Sequence, residues 1–174
     1  MKRVRERKPI ESWLTDMDGV LVHEGVPVPG APEFVNRLRS SGKPFLILTN
    51  NSIYTPRDLQ ARLARIGFDV PEQAIWTSGL ATAQFLANQR PGGTAYVIGE
   101  AGLTTAMHAA GYVLTEFDPD YVVLGETRTY PRPSRAAVSA ASLSRSHSTS
   151  RWSETNPIGL TTTSVTSFSA STAR

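Results

Sequence analysis

The 174-residue chain contains no cysteine. That excludes a disulfide framework and any thiolate metal site. It has no run of about 18 apolar residues, so no membrane-spanning helix and no membrane partner are expected. The basic stretch Lys2–Lys8 leads into no apolar segment, so no secretory signal is expected and the cytoplasm is the expected compartment. No lysine follows Lys43, and Glu154 is the only acid after residue 130. No G-x-G-x-x-G follows a strand, so Gly92-Gly93 reads as a turn and not as a nucleotide-binding loop.

The formal net charge of +3 invites a nucleic-acid reading, but its distribution argues otherwise. Residues 2–8 carry five basic groups and one acid; residues 131–174 carry five arginines and one acid. Residues 9–130 hold eight basic and thirteen acidic groups, a net of −5. The basicity belongs to the two ends and forms no concentrated basic face, so nucleic acid is not an expected partner.

What the chain does have is concentrated in Ser12-Trp13-Leu14-Thr15-Asp16-Met17-Asp18-Gly19-Val20-Leu21. This reads as a short buried strand ending in two carboxylates and a glycine. Alternation along a strand puts Asp16 and Asp18 on one side and Met17 on the other. Converging carboxylates are costly unless a cation or a proton relieves them. Open α/β sheets place their ligands at the C-terminal ends of strands. An ordinary Asp-x-Asp-Gly turn is the plain alternative, since Asp and Gly are common turn residues.

A second segment weighs against the plain reading. Lys43-Pro44-Phe45-Leu46-Ile47-Leu48-Thr49-Asn50-Asn51 is another apolar strand, ending in a hydroxyl and two amides. As a parallel neighbour it would bring Thr49 beside Asp16, with room for a phosphate oxygen between them. Asn51, Ser52 and the start of the next helix would donate to the same phosphate; helix capping alone is the alternative for these polar groups.

The chain alternates strands and helices through residue 124, which implies an α/β fold. Val20–Val28 reads as a small hairpin or flap with the solvated His23 at its tip. Pro29-Gly30-Ala31-Pro32-Glu33 opens a helix that Gly42 ends. Thr55, Pro56 and Asp58 start a second helix whose Leu59, Leu63 and Ile66 repeat at helical spacing. Val70–Trp76 is a loop and short strand, and Ser78 is the expected cap of a helix running to about Gln89. Ala95–Ile98 is a strand, Leu103, Met107 and Ala110 form a helical stripe with His108 off it, and Tyr121–Leu124 is the last strand.

The run Asp16-Met17-Asp18-Gly19-Val20-Leu21, with Pro29-Gly30-Ala31, Leu48-Thr49-Asn50-Asn51 and Gly125-Glu126-Thr127-Arg128, resembles the haloacid dehalogenase-like (HAD) hydrolase superfamily in its NagD-type or p-nitrophenyl-phosphatase-type branch. The resemblance covers about residues 11–130. It implies a Rossmann-like parallel-sheet core with the beginning of an inserted α/β cap. The implied division is a basic leader over 1–10, the N-terminal half of the core over 11–77, a partial cap over 78–130 and a tail over 131–174. The implied activity is Mg²⁺-dependent hydrolysis of a small phosphorylated substrate through an aspartyl-phosphate. Asp16 is then the nucleophile, Asp18 the general acid and base, and both are metal ligands. Thr49, Asn50, Asn51 and Gly19 are then phosphate-binding. The flap would gate the site.

The resemblance stops at Tyr130. It implies a later lysine and a later acidic pair, and residues 131–174 contain neither. Nineteen of those 44 residues are Ser or Thr, with no apolar periodicity. Such a segment buries too little to offset its ordering entropy and is expected to be disordered. A natural linker is one origin; a change of reading frame near Tyr130 fits the abrupt change better. Three functions stay open: a phosphatase, weakened by the missing groups; a non-catalytic truncated remnant acting at most as a binding protein; and a metal-binding Asp-x-Asp of glycosyltransferase type, which does not require the Thr49-Asn50-Asn51 ending. Neither substrate identity nor oligomeric state follows from the residues. The tail carries a direct test: in hydrogen exchange, residues 131–174 should exchange at unfolded-chain rates while helix 56–66 is protected. Comparable protection in both would remove the support for a frame change.

Overall fold

A computed structural model describes residues 9–128; the expectations placed on the leader 2–8 and the tail 131–174 fall outside them. Two compact units make up the described chain: residues 9–49 with Pro56–Trp76, and Asn50–Thr55 with residues 77–128. Both are parallel α/β layers of the Rossmann-like kind. Among the described residues, no helix is long and apolar enough to cross a membrane.

In the first unit, β1 (Trp13–Asp16) lies parallel to β4 (Phe45–Thr49), and β5 (Ile75–Thr77) completes the order β1-β4-β5. Trp13 pairs with Phe45 and Asp16 with Leu48. Between β1 and β4 come the hairpin β2 (Val22–His23) and β3 (Val26–Pro27), then α1 (Ala31–Ser40). Gly30 caps α1 at φ +84 with proline in the first turn, and Gly42 leaves the helix at φ +67, a value glycine adopts without cost. Helix α1 buries Val35 and Leu38, and its Phe34 meets Trp13 edge to face at 5.8 Å. After β4 in chain order, α2 (Pro56–Arg65) buries Leu59 and Leu63.

β1 departs from the sequence expectation of a buried strand. Trp13 and Thr15 are half-buried, but Leu14 is 69% exposed. Among the described residues β1 has a paired neighbour only in β4, so it shows the in-out alternation of a half-covered strand, not the continuous burial of a central one.

The second unit contains α3 (Ser78–Gln89), β6 (Thr94–Ile98), α4 (Ala101–Ala109), β7 (Val113–Leu114) and β8 (Tyr121–Leu124), with parallel sheet order β7-β6-β8. Its core gathers Leu86, Ala95, Leu103, Met107, Tyr112 and Val123. Two details differ from the sequence reading. Thr77, not Ser78, caps α3: its backbone is extended and its hydroxyl accepts from the Leu80 N–H, while Ser78 is already helical. The two-residue β7 was not foreseen, because two residues give no readable alternation. Burial pushes the Tyr112 phenol up from its ordinary value; its hydroxyl lies within hydrogen-bond distance of the Leu86 and Arg90 carbonyls. Asp120 accepts from the Thr94 N–H and hydroxyl and pairs with Arg90, closing the turn ahead of β6 onto the start of β8.

The segment after β8 is held by Glu100, whose carboxylate accepts from the Arg128 N–H at 3.1 Å and the Thr127 hydroxyl at 2.9 Å. These bonds hold its carboxyl below the usual glutamate range, the Arg128 N–H first and the Thr127 hydroxyl second, against a small opposing effect of burial. A carboxyl depressed in the folded state stabilises above its ordinary value, about 4.3, and loses that contribution as pH falls through the folded value. Hydrogen exchange at the Arg128 amide, corrected for its intrinsic rate, should therefore lose protection as pH falls below the ordinary glutamate value. Glu100→Gln should abolish that pH dependence.

Candidate active site

The site is built on the turn after β1. Asp16 is the last residue of the strand. Met17 turns inward and is buried, so the carboxylates on either side of it stay exposed. Four backbone bonds fix this turn. The Met17 N–H donates to the Leu48 carbonyl at 2.9 Å; the Met17 carbonyl accepts from Leu21 and Val22, each at 3.0 Å; and the Gly19 N–H donates to the Val22 carbonyl at 2.7 Å. Leu21 anchors the far side in the core at 1% exposure.

The last two of these bonds form a parallel bridge between Asp18 and Val22. A parallel bridge uses the carbonyl before and the amide after the bridged residue. Here those are Met17 C=O and Gly19 N–H, so Asp18's own carbonyl and amide stay out of the bridge. Asp18 thus offers its carboxylate and its backbone carbonyl. Gly19 makes the turn at φ +80, with no atom within 4 Å of the position a Cβ would occupy. Its amide is already engaged by Val22.

Thr49, the last residue of β4, is buried, and its hydroxyl donates to Asp18 Oδ2 at 3.0 Å. The expectation had Thr49 beside Asp16. Asp16 sits opposite Leu48, so Thr49 lies one residue beyond the strand's last rung, and its hydrogen bond goes to Asp18 in the turn after β1. Asp16 Oδ1 instead accepts from its neighbour's N–H, Met17, at 2.8 Å.

Asn50 and Asn51 belong to the second unit. Asn51 Oδ1 accepts from Ile53 N–H at 3.1 Å and Tyr54 N–H at 2.9 Å, an Asx turn that shapes the loop ahead of α2. The Asn50 carbonyl accepts from the Ser78 hydroxyl at 2.7 Å. His23 is exposed beside the hairpin tip, where Glu24 and Gly25 both have positive φ, as a two-residue type I′ turn requires.

Sequence reasoning places Ser52 among the phosphate donors; in the structure it is buried at 3% and its hydroxyl oxygen is bonded to the distant Glu126 N–H, a partner the sequence does not mark, and Glu100 is not singled out at all. Their partners lie far along the chain, so no local pattern marks them. Among the described residues no group of three His, Asp or Glu side chains gathers into a metal cluster. The first unit's donors are the Asp16 and Asp18 carboxylates and the Asp18 carbonyl, all oxygen and without nitrogen or sulfur. That set suits Mg²⁺, which keeps several waters and takes one or two carboxylates.

A family model for haloacid dehalogenase-like hydrolases matches residues 13–113. The chain is 60% identical over 119 residues to a dihydroxyacetone phosphatase of Corynebacterium glutamicum, covering 68% of this chain and 43% of that one. It is 45% identical over 121 residues to the ribonucleotide monophosphatase NagD of Escherichia coli, covering 70% and 48%. The solved structure of NagD from E. coli K-12 superposes with a TM-score of 0.67 at 42% identity, over 71% of this chain and 49% of that one. A glycerol phosphate phosphatase from Mycobacterium tuberculosis, in complex with magnesium, gives 0.66 at 26% identity, over 78% and 41%. The chain thus spans about half the length of the relatives it matches.

The Gly19 turn yields a stability prediction. With open space around the missing Cβ, Gly19→Ala pays only for the left-handed backbone, about 1–2 kcal/mol. Denaturant unfolding should show a lower midpoint with an unchanged slope.

Proposed function

The chain belongs to the haloacid dehalogenase-like hydrolases, and from that premise we propose that it is built as a Mg²⁺-dependent phosphate-ester hydrolase working through an aspartyl-phosphate. The observation that carries the reading is the hydroxyl of Thr49 bonded to Asp18, two residues beyond Asp16, at the C-terminal ends of adjacent parallel strands. Phosphatase names among the relatives, including dihydroxyacetone phosphatase and acid sugar phosphatase, support a small phosphorylated metabolite as the substrate class.

In this reading an Asp16 carboxylate oxygen attacks phosphorus, and the bond from phosphorus to the ester oxygen breaks. Asp18, protonated, gives its proton to the leaving oxygen. The same carboxylate then takes a proton from a water that attacks phosphorus, and the bond from phosphorus to Asp16 breaks to release phosphate. Positioned acid–base catalysis of this kind is worth about 10²–10⁴-fold. Before substrate binds, the hydrogen bond from Thr49 orients Asp18. When phosphate binds, the Thr49 hydroxyl would turn its single proton from Asp18 to a phosphoryl oxygen, which the Asn50 amide also holds, with Asn51 shaping the loop behind them. Gly19 contributes through its turn, since its amide is engaged by Val22. Asp16 through its carboxylate and Asp18 through its backbone carbonyl would hold Mg²⁺, which when bound would offset the repulsion between the carboxylates and the phosphate. The hairpin within residues 20–28 is the proposed flap over this site, and the segment from residue 78 on, without Asn50–Thr55, is the proposed start of an inserted cap.

We also propose that this 174-residue chain turns over slowly. No lysine follows Lys43, which opens the segment leading into β4, and its ammonium is bonded to the Ile10 carbonyl at 2.6 Å. A missing preorganised charge donor costs about 10²–10³ in rate. The same observation favours the second reading, a non-catalytic remnant that acts at most by binding.

Hydrolysis of a generic chromogenic phosphate ester with Mg²⁺, compared between the chain and Asp16→Asn, tests both. Slow Mg²⁺-dependent turnover that disappears in Asp16→Asn is the expected result. Fast turnover abolished by the substitution would overturn the impairment alone. Equal rates in the two proteins would favour the remnant.

A further inference from the structure

The loop Asn50–Thr55 is gripped by distant parts of its own unit. Ser52 is buried, and its hydroxyl oxygen accepts from the Glu126 N–H at 2.9 Å, across 74 residues of sequence. The Gly102 N–H, in the first turn of α4, donates to the Ile53 carbonyl at 2.8 Å, so a loop carbonyl satisfies one of the helix's open amides. The approach is close. A Cβ on Gly102 would lie 2.5 Å from the Tyr54 carbonyl oxygen and 2.7 Å from that of Ser52. A Cβ on Gly125 would lie 3.1 Å from Ser52 Oγ and 2.7 Å from a Leu103 methyl. Arg128 donates to the Tyr54 hydroxyl at 2.9 Å, and the Ser78 hydroxyl donates to the Asn50 carbonyl.

We propose that Gly125–Arg128 is a clasp on this loop and that Ser52 is its positioning residue, presetting Asn50 and Asn51 for a phosphate oxygen. The proposal rests on the phosphate-binding role given above to Asn50 and the loop-shaping role given to Asn51. Its physical basis is the cost of ordering. A loop whose backbone must be fixed when the anion arrives gives up binding free energy to conformational entropy, whereas a loop already fixed does not. Glycine at 102 and 125 lets the backbones approach closely enough for the Ser52 bond to form. The clasp acts through the Glu126 backbone, so the Glu126 side chain is dispensable to it.

The test uses the full chain with inorganic phosphate as the probe, following the backbone amide resonances of Asn50 and Asn51 during titration. The amides of Met107 and Val123 report the integrity of the core. Ser52→Ala removes the acceptor. Glu126→Pro removes the donor and leaves Ser52 intact, and Glu126→Ala keeps the donor. Phosphate should bind roughly five- to tenfold more weakly in Ser52→Ala and Glu126→Pro, the scale of one hydrogen bond, with Met107 and Val123 unmoved. Glu126→Ala should match the unaltered chain. Should Ser52→Ala disturb the core amides, the comparison of Glu126→Pro with Glu126→Ala decides. Equal affinity in all proteins would overturn the clasp and leave the phosphate role standing. No response of Asn50 and Asn51 in the unaltered chain would overturn both.

Discussion

The carbonyl of Met17 is the point on which the first unit's chemistry depends. By accepting two amides, Leu21 and Val22, it folds the chain back immediately after Asp16. The burial of its own side chain keeps both neighbouring carboxylates outward. The accompanying Gly19–Val22 bond completes a bridge that leaves the Asp18 carbonyl out of the ladder. One inward side chain and three short hydrogen bonds thus place two charges side by side, where electrostatics alone would separate them. The glycine and the buried Leu21 are the supports that let the turn close.

Much of this was legible because it follows from short-range rules. Alternation correctly set Met17 against Asp16 and Asp18, and apolar runs bounded by glycine and proline marked α1, α2, β4, β6 and β8. What stayed hidden has specific causes. The partner of Thr49 is set by interstrand register and by the turn that carries Asp18 after β1, neither of which residue type encodes. Thr77 and Ser78 are both good caps, and only the backbone angles choose between them. The exposure of Leu14 depends on which neighbours β1 has among the described residues, a tertiary fact. The bonds of Ser52 and Glu100 span 74 and 28 residues, so no window of sequence contains both partners.

The two units divide their stabilising chemistry differently. The first relies on apolar helix faces, with Leu59, Leu63, Val35 and Leu38 on helices whose outer faces are strongly polar. The second adds polar ties at its chain crossings: Asp120 on Thr94 and Arg90, Tyr112 on two carbonyls, Glu100 on the segment after β8. Polar ties of this kind, most of them between half-buried or exposed groups, contribute little net stability each. They therefore restrict which packing arrangement is reached more than they deepen it.

The interleaving of the units also has a consequence during synthesis. Asn50–Thr55 leaves the ribosome with the first unit but belongs to the second, whose closing residues come 74 positions after Ser52. At roughly 5–20 residues per second, that interval lasts several seconds. Until Gly102 and then Glu126 have been made, the Ile53 carbonyl and the Ser52 hydroxyl lack the partners they bond in the folded unit, while Phe45–Thr49, directly upstream, can already pair with β1. The nascent chain therefore carries a folded strand joined directly to a waiting loop, and substitutions at Gly102 or Gly125 would be felt first as a longer wait.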